Sequence, residues 1–287
     1  METSLPLLRV LSLGAGVQSS ALYLMAVHGE FPGETPDLAI FADTQWEPPA
    51  TYAWLDELER IGGSKIPIRR VTIGNLRDDV VSGAQRGYRM ANIPYFAKTP
   101  DGKKVLLRRT CTSEYKLTPL ARETRKQLDV VRARLGVRGL PPGAVEQWIG
   151  ISTDEASRAK DARVKYVKHV FPLLDRGMSR KDCISWLGTN GYKTPTKSAC
   201  IGCPFHDDAF WEDLKTNHPV EWEDACSFDE HIRRGAAVDA TGTLRGMRNG
   251  GEAFLHASCT PLRTVVLRPK IAAPNLFENE CEGMCGV

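Results

Sequence analysis

The 287-residue chain has no apolar run near the roughly 20 residues that a membrane-spanning helix needs. It also lacks a strong charge: 38 Lys and Arg stand against 35 Asp and Glu, and a net +3 does not by itself call for a polyanionic partner. Internal repeats and low-complexity segments are missing too. No basic leader precedes the opening METSLPLLRVLSLGAG, so the reading is a cytoplasmic protein with no membrane partner. What is present is an ordinary globular composition, 42% hydrophobic and 25% charged, long enough for one large domain with a tail. Eight cysteines (111, 183, 200, 203, 226, 259, 281 and 285) in a reducing compartment point to metal ligands, redox thiols or buried apolar groups rather than a disulfide framework.

Apolar β-rich runs alternate with amphipathic ones. Val10 to Leu13, Leu38 to Phe41, Ile68 to Val71 and Gln147 to Ile151 read as strands; Ser19 to His28, Thr51 to Ile61, Thr118 to Leu135 and Ser179 to Asn190 read as helices. That rhythm predicts an α/β fold with a doubly wound, mostly parallel sheet, whose ligands bind where strands end and helices begin. Residues 84 to 110 are basic and aromatic, with a Pro-Asp-Gly turn signal at 100 to 102, and read as an insertion or hairpin beside the site. Beyond position 206 follow two Trp-containing helical stretches, a Gly-rich segment and a tail, ENECEGMCGV. The expected organisation is therefore an α/β domain over 8 to 206, with 84 to 110 as a basic insertion, and a helical, Cys-containing extension over 207 to 287.

Three features carry chemistry. Strand Val10 to Leu13 runs into Gly14, Ala15 and Gly16, then Ser19 and Ser20 at a helix start, which offers backbone N–H groups and a positive dipole end to a phosphate. The second strand ends in DTQWEPPATY, which puts Asp43 and Thr44 at the same edge, with Pro49 opening a helix. The run SACIGCPFH holds Cys200 and Cys203 at a spacing from which two thiolates can grip one metal or cluster, and Cys111 supplies a third soft ligand. Spacing alone leaves zinc, an iron–sulfur cluster, a dithiol redox pair and inert thiols all open.

DTQWEPPATY resembles the D-T-G-x-x-x-P-E-T-Y signature of the phosphoadenosine phosphosulfate reductase family, with Asp43, Thr44, Pro49, Thr51 and Tyr52 in matching positions. GAGVQSS is similar to the S-G-G-x-D-S-S loop of the wider adenine nucleotide alpha hydrolase (PP-loop) superfamily, with Gln18 in place of Asp and Gly14 in place of Ser. CTSEYKLTPL resembles the family's C-C-x-x-R-K-x-x-P-L, keeping Cys111, Lys116, Pro119 and Leu120 but carrying Thr112 for the second Cys and Tyr115 for the Arg. GISTDEASRAK is similar to G-I-R-R-E-Q-S, with Ser152 and Thr153 for the two Arg that hold an anionic sulfonucleotide, and Arg158 as a candidate for an anionic group. The tail matches E-C-G-x-H only at Glu280 and Cys281.

The resemblance implies ATP or another adenine nucleotide, with Mg2+ as a further ion, bound by Ser12, Gly14, Ala15, Gly16, Gln18, Ser19, Ser20, Asp43, Thr44 and Asp154. It implies a 4Fe-4S cluster on Cys111, Cys200 and Cys203. Another Cys (226, 259, 281 or 285) completes the cluster, or one iron is left open; the tail cysteines Cys281 and Cys285 are the chief candidates. Cys281, Lys116 and Arg158 are the expected catalytic residues. Three functions follow. One is ATP-dependent activation and sulfur transfer to a nucleic-acid or nucleotide substrate, with a thiol or a cysteine desulfurase as sulfur donor. The second is a sulfonucleotide reductase, in which Cys281 attacks sulfur and no pyrophosphate is cut. The third is a non-catalytic module that binds nucleotide or cluster. The basic stretches 84 to 109 and 156 to 168 are the candidate nucleic-acid contacts.

Overall fold

The computed structural model describes residues 5 to 86, 93 to 233 and 251 to 268. Five parallel strands form the main sheet: β1 (Leu8–Leu13), β2 (Leu38–Ala42), β3 (Ile68–Val71), β6 (Val145–Ile149) and β7 (Val167–Val170), in the order β3-β2-β1-β6-β7. The sequence runs LRVLSL and LAIFA are nearly all apolar because both faces of these strands are covered, as parallel sheets require. On one face Leu11, Leu13, Phe41 and Trp148 pack against α1 (Val17–Val27), α2 (Pro49–Gly62) and α6 (Arg180–Thr189). On the other, Val10, Leu38, Ile40 and Val145 meet Leu120 and Leu128 of α4 (Thr118–Leu135). This is the doubly wound α/β architecture that the alternation of runs predicts.

All eleven residues of α1 are buried, because the helix lies between the sheet and two neighbouring helices, and its apolar character all round matches that position. Removing one of its side chains, for example by Leu22→Ala, would cost about 2–5 kcal/mol through lost burial and the cavity left behind. α2 starts on Pro49 with its preset φ. α4 ends at Gly136, whose φ of +67° closes the helix in the left-handed conformation. α6 is opened by a capping box in which the Ser179 side chain accepts from the Asp182 N–H and the Asp182 carboxylate accepts from the Ser179 N–H.

A second body sits at the carboxyl edge of the sheet. The hairpin β4 (Phe96–Lys98) and β5 (Lys104–Leu106) turns at Gly102 (φ +85°), and β8 (Glu252–Phe254) adds a third antiparallel strand. Its core joins Trp46, Tyr95, Trp211, Phe228 and Leu255, drawn from the end of β2, the hairpin, α7 (Asp208–Asn217), α8 (Pro219–His231) and β8. The buried Asp229 carboxylate clamps this body together: it accepts from the Leu255 N–H at 2.9 Å and the Leu262 N–H at 2.8 Å, and pairs with Arg233. Among the described residues no helix is long and apolar enough to cross a membrane.

Candidate functional site

The strand order places the crossover point between β1 and β6, whose connections leave in opposite directions, so the crevice at their carboxyl ends is where such a sheet takes a ligand. Gly150, just beyond β6, lets α1 come close: a Cβ there would stand 2.8 Å from the Ser19 backbone. The loop before α1 turns at Ala15, a non-glycine residue at φ +59°. α1 itself has no side-chain cap and no acidic residue in its first turn, so its leading N–H groups keep the positive end of the helix unneutralised by side chains. Gly14 to Ser20 are all buried. The Ser198 hydroxyl donates to the Gly14 carbonyl, the Gly14 N–H donates to Ser19 Oγ at 3.2 Å, and Trp54 Nε1 donates to Ser20 Oγ at 2.9 Å. The Ser19 and Ser20 hydroxyls thus already serve to shape the turn.

Gln18 is buried and spans two opposite charges. Its Nε2 lies 3.4 Å from both Ser152 Oγ and Glu155 Oε2, while Arg180 Nη1 donates to its Oε1 at 3.0 Å. The amide offers a donor to the carboxylate and an acceptor to the guanidinium from one side chain, which an Asp carboxylate does not. Asp154 Oδ2 accepts from the Arg180 N–H at 2.5 Å at the start of α6, and Arg158 pairs with Glu155. These sequence-predicted residues therefore share one polar cluster with α1's first turn.

At the end of β2, Asp43 closes a turn: its Oδ1 accepts from the Gln45 N–H at 2.7 Å and from the Tyr52 hydroxyl at 2.9 Å. That bond and burial push the Tyr52 phenol upward, burial having the larger effect. Thr44 and Glu47 point inward. Thr44 Oγ1 donates to Glu47 Oε1 at 3.1 Å, Lys116 Nζ stands 3.3 Å from the same oxygen, and Cys200 Sγ lies 3.2 Å from Thr44 Oγ1 and 3.5 Å from Glu47 Oε1. Glu47 Oε2 is buried with no hydrogen-bond partner.

Cys111 heads a wide π-helical turn, Thr112–Leu117, that delivers Lys116 inward before α4 begins. Cys200 and Cys203 lie in a tight turn, in which the Cys203 N–H donates to the Cys200 carbonyl at 2.9 Å. Three supports hold that turn. The His206 ring, stacked on Phe210 with centroids 3.4 Å apart, bonds the Cys200 carbonyl through Nε2 at 2.8 Å, and burial pulls its pKa down to about 3, so it donates as a neutral imidazole. The Ile201 N–H donates to the Trp46 carbonyl at 2.8 Å. Gly202 lies on the Trp46 ring, where a Cβ would fall 1.9 Å from a ring carbon.

Cys111, Cys200 and Cys203 line one small cavity of about 20 Å³, together with Thr44, Arg109 and Lys116. A neighbouring small cavity of about 10 Å³ is lined by Ser12, Leu13 and Gly14 of β1 and its loop, Phe41 and Ala42 of β2, and again Lys116. Lys116 is thus a wall common to both. Among the described residues no three of His, Cys, Asp or Glu are grouped to hold a single metal ion. Three cysteines lining one cavity are a donor set that either zinc or an iron–sulfur cluster takes. Cys281 and Cys285 lie outside the described residues.

The sequence reading missed Trp46, Glu47, Gly150, Ser198, Arg180 and Gly202. Trp46 and Glu47 had a signal in their place inside DTQWEPPATY, and Gly202 in its place between two cysteines. The other three are distant in sequence and meet the loop only in three dimensions.

Fold and site define a doubly wound α/β protein with a cysteine-lined cavity at the carboxyl edge of its sheet. No protein-family model matches the chain, and no curated protein does. Among solved structures it is similar to the U34-tRNA thiolase NcsA from Methanococcus maripaludis with its 4Fe-4S cluster, at 14% identity, over 77% of this chain and 70% of that one, with a TM-score of 0.35. At that level the likeness carries no argument about activity, and the fold assignment rests on the strand order itself.

Proposed function

We propose that the protein is an adenine-nucleotide-binding iron–sulfur enzyme that uses ATP to activate a nucleic-acid or nucleotide substrate for sulfur transfer. The observation that carries this reading is the shared wall: Lys116 borders both the cysteine cavity and the cavity at the ends of β1 and β2. A nucleotide bound at the sheet edge beside the second cavity would bring its phosphates toward the leading N–H groups of α1. Lys116 would then stand between phosphate and thiolates, where its charge offsets the negative charge that develops as pyrophosphate leaves.

Cys111, Cys200 and Cys203 would hold the 4Fe-4S cluster, which when bound supplies an iron able to carry sulfur. The chemistry on the substrate balances simply. A substrate oxygen attacks the α-phosphorus of ATP and pyrophosphate departs; hydrosulfide then forms the carbon–sulfur bond and gives up its proton as AMP carries the oxygen away.

The test is anaerobic purification with iron and acid-labile sulfide counts, followed by a pyrophosphate assay with ATP and single-stranded RNA. Iron, a visible absorption band and pyrophosphate release are the expected results, and Cys200→Ala removes iron and band together. Zinc without iron would refute the cluster. Gln18 favours one second reading, a sulfonucleotide reductase, because its amide is engaged with Glu155 and Arg180 rather than free to place a metal on a pyrophosphate. Sulfite release from adenylyl sulfate, with ATP untouched, would establish that reading instead.

A further inference from the structure

A third cavity, of about 290 Å³, opens on the flank of the sheet between α4 and the β6–β7 edge. It is separate from the cysteine cavity and meets the cavity at the ends of β1 and β2 at Leu120, which lines both. The Gln147 amide on its floor donates to Ser12 Oγ in the neighbouring cavity at 2.9 Å, so a polar bridge joins the two. α4 crosses β1, β2 and β3, which leaves this end of the sheet as a groove rather than a packed face.

The lining divides by chemistry. Leu117, Leu120, Ala121, Val164 and Val167 form apolar walls that suit the flat face of a ring. Thr124 stands among them with 2% exposure, and its buried hydroxyl has no hydrogen-bond partner. A buried hydroxyl without a partner is costly to the folded chain, so a ligand that bonds it gains at that point. Gln147 and His169 add further polar edges.

The rim is basic. From 156 to 168 the chain reads ASRAKDARVKYVK, five cations against one acid. Arg163 is exposed and lines the groove, Lys165 is exposed two residues further along the chain, and neither pairs with a carboxylate among the described residues. Apolar walls, hydrogen-bonding groups at their edge and a cationic rim are the elements that receive a base and its phosphates from a single strand.

We infer that this groove seats one base of a single-stranded nucleic acid, with the adjoining phosphates on Arg163 and Lys165. The inference rests on the reading that the substrate is a nucleic acid, and it assigns that substrate a place beside the nucleotide site. The base would enter between α4 and β7, and the strand would run along the basic rim toward the carboxyl edge.

The full chain, purified anaerobically, is titrated into a fluorescein-labelled 12-nucleotide single-stranded RNA, and anisotropy is followed across a salt series. The double variant Arg163→Glu/Lys165→Glu is expected to weaken binding at least tenfold. It should also flatten the slope of log affinity against log salt by about 1.4 or more, since each phosphate contact on a single strand contributes ~0.7. Thr124→Val, nearly equal in shape, should weaken binding severalfold at unchanged salt slope. Lys181→Glu, exposed on α6 on the opposite face, should leave binding unaltered.

Equal loss in Lys181→Glu and the groove variants, or no loss in any of them, would overturn the inference. So would wild-type protein that fails to bind the RNA. If that failure comes with iron and pyrophosphate release intact, the groove is wrong while the sulfur-transfer reading stands. If RNA binding depends on the groove but the protein holds no iron, the groove stands and the sulfur-transfer reading falls.

Discussion

The Glu47–Lys116 pair is the point at which the site is most exposed to refutation. The Glu47 side chain is 0% accessible and that of Lys116 8%, with Nζ 3.3 Å from Oε1. At an effective dielectric of ~20, opposite charges at that distance attract by about 5 kcal/mol, against which stands the cost of removing both from water. Removing one partner leaves the other charge buried and unbalanced, so Lys116→Met and Glu47→Gln should each destabilise the protein by about 3–5 kcal/mol. A domain with only ~5–15 kcal/mol of total stability will show that plainly as a fall in urea midpoint, and one of the single variants unfolding outright is within range. The double variant Glu47→Gln/Lys116→Met removes both charges at once. It should be more stable than either single variant, with a coupling of at least about 2 kcal/mol in the cycle. Equilibrium urea unfolding of the four proteins, with the slope checked for constancy, gives the result. If the two single losses simply add in the double variant, the pair is no unit and Lys116 is not held by Glu47.

Three further outcomes follow from the same geometry. Gly202→Ala should force the Trp46 ring off its seat and lower stability by about 1–3 kcal/mol, together with iron retention measured after anaerobic purification; unchanged iron would mean that the cysteine turn does not depend on this contact. Asp229→Ala leaves two backbone N–H groups without their buried acceptor, at a cost of about 3 kcal/mol, and limited proteolysis should cut the 251 to 268 segment sooner; an unchanged digestion pattern would contradict the clamp. Burial holds His206 at about 3, below its unfolded value near 6.5, so the unfolded chain binds the extra proton between these values and stability falls as pH drops from about 6.5 toward 3. His206→Gln should flatten that acid limb by as much as ~1.4 kcal/mol per pH unit, and an identical limb in both proteins would show that His206 is not the group responsible.

The parallel sheet was legible because its strands are short apolar runs with helices between them, and four of the five lie within two residues of where the pattern puts them. β7 was not. VKHV sits inside a basic stretch, and an edge strand with half-buried alternation looks like a charged loop when read along the chain. The turn that Pro100, Asp101 and Gly102 predict is present in the β4–β5 hairpin, but no local signal could announce that Glu252 to Phe254 would join it as a third strand. Cys111, Cys200 and Cys203 were visible as soft ligands, and the structure brings them to one cavity. Glu47 was hidden because a carboxylate beside two prolines is ordinarily a solvated loop residue. Only its burial against Thr44, Cys200 and Lys116 gives it meaning.

Where the sequence departs from the resembled motifs, the replacements have local partners. Tyr115, in the place of an Arg, donates its hydroxyl to Asp79 at 2.5 Å, and burial together with that carboxylate pushes its pKa upward. Gln18, in the place of an Asp, fits between Glu155 and Arg180 in a way no carboxylate could copy, since an acid there would face Glu155 with like charge. It follows that an anion arriving at α1 would be met by backbone N–H groups and by Arg180 through the Gln18 amide, not by a carboxylate-held ion. Gln18→Asp alone should then impair nucleotide binding. Paired with Glu155→Gln, which removes the opposing charge, the same substitution should recover it, and isothermal titration with ATP in the presence and absence of Mg2+ distinguishes the two. Equal affinity in all three proteins would mean that the phosphates lie elsewhere.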